Sequence, residues 1–137
     1  MATRGRIGIE LSDGSVLSSY HHWDSYPEWL GRILHTHYNA KSLAEELIDG
    51  GDMSSCWTDV RWDDSAVKGV YGPEYYSQRG DNCPPRLDAN KYEYFADNEE
   101  YAYIYTLNDE WVCYNCYKYG GSKMPEVVEI PSGALAV

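Results

Sequence analysis

The feature that most constrains this chain is an alternating stretch that runs into a tight turn. Arg6-Ile7-Gly8-Ile9-Glu10-Leu11 sets isoleucine and leucine at every second position, and Asp13-Gly14 follows between two serines. Asp-Gly after an alternating run is the strongest short hairpin signal. A two-residue turn there pairs Leu11 with Val16, Ile9 with Ser18 and Ile7 with Tyr20. One face then carries Ile7, Ile9, Leu11, Val16 and Tyr20, and the other Gly8, Glu10, Leu17, Ser19 and His21. Carried one residue further, the alternation sends His22 to the core side and His21 away from it.

The hairpin ends in a crowded junction, Tyr20-His21-His22-Trp23-Asp24-Ser25-Tyr26-Pro27-Glu28-Trp29-Leu30-Gly31. Pro27 suits the first helical position, with Asp24 or Ser25 near the cap. Leu30, Ile33, Leu34 and Tyr38 then recur at helical spacing. A second helix carries Leu43, Leu47 and Ile48 and stops at Gly50-Gly51. Residues 52–86 read as irregular. Asp88 starts a short third helix with Leu87, Tyr92 and Phe95. Tyr101 to Leu107 is a strand, Asn108-Asp109-Glu110 turns it, and Trp111 to Tyr117 returns. Glu126 to Ile130 adds an edge strand, and residues 131–137 form a frayed tail. This order predicts one compact α+β domain over 1–137. It is a small two-layer sandwich, with an antiparallel sheet built from two hairpins and two to three helices on one face.

Composition narrows the partners. With 22 acidic against 11 basic residues, the net charge of -11 repels nucleic acid and anionic membrane. Direct nucleic-acid binding and membrane association are therefore not expected; the charge suits a basic partner, and taken singly it is better read as serving solubility alone. Fourteen tyrosines and five tryptophans against one phenylalanine imply a polar-edged core or an aromatic, adhesive surface. The start has no apolar leader and no run is long enough to span a bilayer, so the chain reads as cytosolic, with its four cysteines reduced.

Three kinds of chemistry bear on these residues. A metal site is disfavoured: His35 and His37 diverge on a helix, and Cys113 and Cys116 on a continuous strand point to opposite faces. No nucleophile elbow or phosphate-cradling loop is present, so no catalytic residue, metal or cofactor is assigned. Recognition is better served. His22 and Asp24 can hydrogen-bond a ligand or partner while Trp23, Tyr26 and Trp29 stack on it. Tyr20, with Arg79 and Asp81 from a later turn, completes the candidate set. The same residues read equally as a packed strand-to-helix corner.

The stretches Thr3-Arg4-Gly5-Arg6-Ile7-Gly8-Ile9, Tyr20 to Pro27, His37-Tyr38-Asn39 and Leu47 to Ser55 together resemble a family of small proteins of tailed bacteriophages and prophages with no established activity. The resemblance covers nearly the whole chain and is most specific over residues 3–55. That family usually has Gly where this chain has Ser25. The resemblance implies a phage origin and a host-cytoplasmic setting. The expectation is an accessory binding protein that inhibits or sequesters a host component of antiviral defence. It would act through an acidic, tyrosine-rich surface or a His-Trp-Asp pocket, on a host protein or a small nucleotide-like ligand. The alternative is a small hydrolase or nucleotide-processing enzyme at the same junction.

Overall fold

The computed structural model describes residues 2–60, 69–96, 100–116 and 125–132. It is an α+β fold in which an eight-stranded sheet is packed by three helices among the described residues. The strands are β1 (Gly5–Glu10), β2 (Val16–His21), β3 (Met53–Thr58), β4 (Gly72–Tyr75), β5 (Arg86–Asp88), β6 (Tyr101–Tyr105), β7 (Trp111–Asn115) and β8 (Glu126–Val128). The helices are α1 (Arg32–His37), α2 (Lys41–Asp49) and α3 (Lys91–Ala96), with a π turn over Pro27–Gly31 leading into α1.

The first hairpin forms, but one residue out of the expected register. Gly14 N–H donates to the Leu11 carbonyl (2.9 Å) and Leu11 N–H to the Ser15 carbonyl (2.8 Å), so the turn holds three residues. Gly14 takes the left-handed conformation (φ +88°) that this bulged turn needs. The pairing becomes Ile9 with Leu17, Ile7 with Ser19 and Gly5 with His21. A one-residue slip moves every side chain of β2 to the other face. Val16 and Tyr20 therefore leave the Ile7–Ile9 face, and Leu17, Ser19 and His21 join it.

The sheet is mixed rather than antiparallel. Its order is β4-β3-β2-β1-β6-β7-β8, with β5 pairing β2. The two hairpins meet along a parallel β1–β6 pair, and β3 joins β2 in parallel at His21 and Met53. Residues 52–86 are also more ordered than expected. They supply β3, β4, a 3₁₀ turn (Tyr76–Arg79) and β5. These strands run three to six residues and carry little alternation, which is why the pattern hid them. Residues 61–68 and 133–137 of the predicted irregular segment and tail lie outside the described residues.

Both faces of the central strands are covered. On one, Leu30, Ile33, Leu34, Leu47 and Ile48 pack on Ile7, Ile9, Tyr103, Tyr105 and Cys113. On the other, Tyr94 and Phe95 of α3 pack on Val16, Ala102, Ile104 and Cys116. Two helices thus share one face and the third takes the opposite one. Cys113 and Cys116 sit in these separate layers, where burial pushes each thiol up to about 12.

Several local expectations shift. Pro27 does open the first helical turn, but Tyr26 precedes it and neither Asp24 nor Ser25 caps it. Leu43 stays 41% exposed while Ala44 takes the inward place on α2. Leu87 lies on β5 rather than on α3, and Asn90 Oδ1, not Asp88, accepts the Glu93 N–H at 3.0 Å at the start of that helix.

Candidate functional site

The register slip divides the junction between the inside and the outside of the molecule. His21, expected to face solvent, is fully buried on the helix side. Its Nδ1 lies 2.8 Å from Ser25 Oγ, and Ser25 Oγ–H donates to the His21 carbonyl at 3.2 Å. That network assigns the proton to Nδ1, leaving Nε2 without a hydrogen-bond partner among the described residues. Burial, with a smaller contribution from His22, lowers the His21 pKa to about 3, so the ring is neutral.

Ser25 is the knot that closes this corner. Its N–H donates to the Thr3 carbonyl (2.9 Å), and its own carbonyl accepts from the Tyr103 hydroxyl (2.7 Å). A Cβ on Gly5 would stand 2.9 Å from the Ser25 Cβ and 2.7 Å from the Tyr101 carbonyl oxygen, so only glycine fits opposite. The left-handed backbone falls one residue earlier, at Asp24 (φ +60°). Ser25 itself is not among the residues with positive φ, and its hydroxyl is free to bond within the corner.

The outer set is a row of three rings. The Tyr20 hydroxyl and His22 Nδ1 are 2.7 Å apart, and His22 meets Trp23 edge-on at 4.7 Å between centroids. The backbone beneath is pinned to the start of β3. His22 N–H donates to Met53 O (3.2 Å), Trp23 N–H to Ser54 O (3.1 Å) and Tyr20 N–H to Asp52 Oδ1 (2.9 Å). Trp23 is nonetheless 46% exposed. Partial burial and nearby Arg4 hold the His22 pKa below its ordinary value.

The remaining predicted residues are placed otherwise. Asp24 is exposed and makes no hydrogen bond or ion pair with His22 among the described residues. The Tyr26 carbonyl accepts the N–H groups of Trp29 and Leu30 at the helix start (3.0 and 2.9 Å). Desolvation, then Asp24 and Glu28, raises its phenol pKa. Trp29 is half-buried against the helix-side core. Arg79 pairs with Glu74 at 3.2 Å and lies over the Tyr76 ring at 5.2 Å. Among the described residues Asp81 is tied through its N–H to the Tyr76 carbonyl (3.3 Å). That turn reaches the junction only indirectly, through Asp52, whose carbonyl takes Tyr76 N–H and whose carboxylate takes Tyr20 N–H.

Tyr20, His22 and Trp23 therefore form a ridge, half-buried at Tyr20 and His22 and exposed at Trp23, above a closed Ser25–His21 pair. Three hollows elsewhere among the described residues are lined by other segments. Asp52 and Ser25, which hold the ridge and the corner, were missed as organisers. Their bonds reach distant backbone and leave no periodic trace.

No protein-family model, curated protein or solved structure matches the chain. Among the described residues no helix is long and apolar enough to cross a membrane. Chemically, the ridge offers what a recognition surface uses: large apolar area from rings with polar edges, held before a partner arrives. The Ser25–His21 pair lies within hydrogen-bond reach, as a nucleophile and base must, but both residues are fully buried, and their mutual bonds serve the corner.

Proposed function

We propose that this chain is a phage-encoded accessory binding protein that inhibits a host component of antiviral defence by docking on it through the Tyr20–His22–Trp23 ridge. The observation that carries the binding role is Trp23. It keeps 46% of its surface in water while its backbone is bonded to β3 and its ring abuts His22. An indole held in place and left uncovered is the residue type that anchors protein interfaces. Trp23 stands open to solvent, which favours a protein partner over a sequestered nucleotide. The charge of -11 favours one that is basic. The phage and host setting rests on the resemblance across residues 3–55.

The test is affinity capture from infected host cells, with identification of the retained species by mass spectrometry. A host protein retained by the wild type and released by Trp23→Ala, whose circular dichroism is unchanged, supports the reading. Equal retention by that variant contradicts it. A small nucleotide recovered intact instead favours sequestration, and a converted product favours the enzyme alternative.

A further inference from the structure

The geometry points to a second recognition surface at the opposite end of β2, a groove that takes a short basic, amphipathic segment of a partner protein. It lies between the turn of the first hairpin, the turn joining β6 to β7, and the face of α2 that carries Lys41, Glu45 and Asp49. A main hollow of about 510 Å³ and a side hollow of about 80 Å³ share Ile9, Glu10, Lys41 and Leu107. A six-residue strand separates this end from Trp23, roughly 20 Å at a strand's rise per residue. The inference therefore does not depend on the aromatic ridge.

The groove is apolar below and acidic around. Ile9, Leu11 and Leu17 line its floor, and Leu107 stands beside them 57% exposed. Leu107 is held in place, because its N–H donates to Glu10 Oε1 at 3.2 Å across the two hairpin turns. Glu10, Asp13, Glu45, Asp49 and Asp109 line the two hollows, against Lys41 as the lining cation. Glu10 is balanced by Lys91 at 3.2 Å and Glu45 by Lys41 at 3.8 Å. Asp13, Asp49 and Asp109 form no ion pair among the described residues. Ser15 hydrogen bonds lower the Asp13 pKa, which keeps that carboxylate charged.

Charge complementarity selects the occupant. Carboxylates of one sign around a low-dielectric floor focus a field that attracts cations. The exposed leucine and apolar floor add area that a bare cation does not use. Arg or Lys side chains meet the rim while interleaved apolar side chains reach the floor. A second copy of this chain brings the same acids against these acids and is repelled, as are nucleic acid and anionic lipid.

The experiment uses a fluorescein-labelled heptapeptide of alternating leucine and arginine. Leucine–glutamate and glycine–arginine heptapeptides serve as controls, and anisotropy and amide chemical shifts are the readouts. The leucine–arginine peptide should bind about tenfold more tightly than either control, weaken with salt, and shift the amides of Ile9, Leu17 and Leu107. Leu107→Ser should weaken it about tenfold, and Asp13→Asn with Asp49→Asn about threefold. Glu126→Gln, at the far end of the β7–β8 pair, should leave affinity unchanged. Controls that bind as tightly, shifts elsewhere, insensitivity to Leu107→Ser, no binding at all, or a dimer that buries Leu107 would each overturn the inference.

Discussion

His21 Nδ1 lies 2.8 Å from Ser25 Oγ inside the helix-side core, while the next residue, His22, faces outward and holds the Tyr20 hydroxyl at 2.7 Å. Two adjacent histidines thus serve opposite purposes. One locks the corner between the first hairpin and the first helix, and the other sits half-buried in a row of rings that ends at the exposed Trp23.

If Ser25 is the lock, Ser25→Ala should destabilise the fold. The change strands the His21 Nδ1–H in the core, and leaving a buried donor unsatisfied costs about 1–3 kcal/mol. Urea denaturation reads this directly. A loss below the error of the extrapolation would show that the pair contributes little.

His21 also sets a pH dependence. Its folded pKa of about 3 lies below the ordinary 6.5 because burial disfavours the charged ring. The unfolded chain therefore binds the proton first. The native state carries no penalty from this group above about pH 6.5, and stability falls as the pH drops from there toward 3. By pH 4.5 the deficit is about 2–3 kcal/mol. His21→Asn, which keeps a donor and does not titrate, should remove that slope between pH 7.5 and 4.5. An unchanged slope would place the acid sensitivity elsewhere.

The two hairpin turns share one geometry. Thr106 N–H donates to Glu110 O and Asp109 N–H to Thr106 O, as Leu11 and Gly14 do in the first turn, and Asp109 occupies the left-handed position at φ +60°. Asp109→Gly should therefore stabilise the protein by about 0.5–1 kcal/mol. Gly14→Ala should cost about 1–2 kcal/mol through backbone strain alone, since no atom lies within 4 Å of the added Cβ. Thermal melts of both variants decide it. Shifts of the same sign would refute the shared geometry.

The layer beneath α3 has its own check. The Tyr94 hydroxyl, fully buried, donates to the carbonyls of Tyr103 (2.8 Å) and Arg6 (3.2 Å). Tyr94→Phe should cost about 1 kcal/mol and speed amide exchange in β6. A neutral change would mean that α3 only rests on the sheet.

Much of the architecture was legible in periodicity. The alternation of Ile7, Ile9 and Leu11, the helical spacing of Leu30, Ile33 and Leu34, and the aromatic strand of Tyr101 to Tyr105 all correspond to elements that form. The register was not legible. Asp13-Gly14 suits a two-residue turn and a three-residue bulged turn alike, and the difference of one residue decides which histidine is buried. The parallel β1–β6 pair was also hidden, because it joins segments far apart in the chain. At the junction the crowding of Tyr20, His22 and Trp23 was plain. Among the described residues His22 bonds none of Asp24, Arg79 and Asp81; its segment is tied instead to Asp52, Met53 and Ser54, a long-range pairing that no local pattern encodes.

The most direct test of the central claim compares Trp23→Ala and Ser25→Ala side by side, measuring melting temperature and retention of the captured host protein. Trp23→Ala should keep its melting temperature and lose retention, while Ser25→Ala should melt lower and, below its transition, retain the partner. If Trp23→Ala melts lower and still retains the partner, the ridge is a structural corner and the recognition role is wrong.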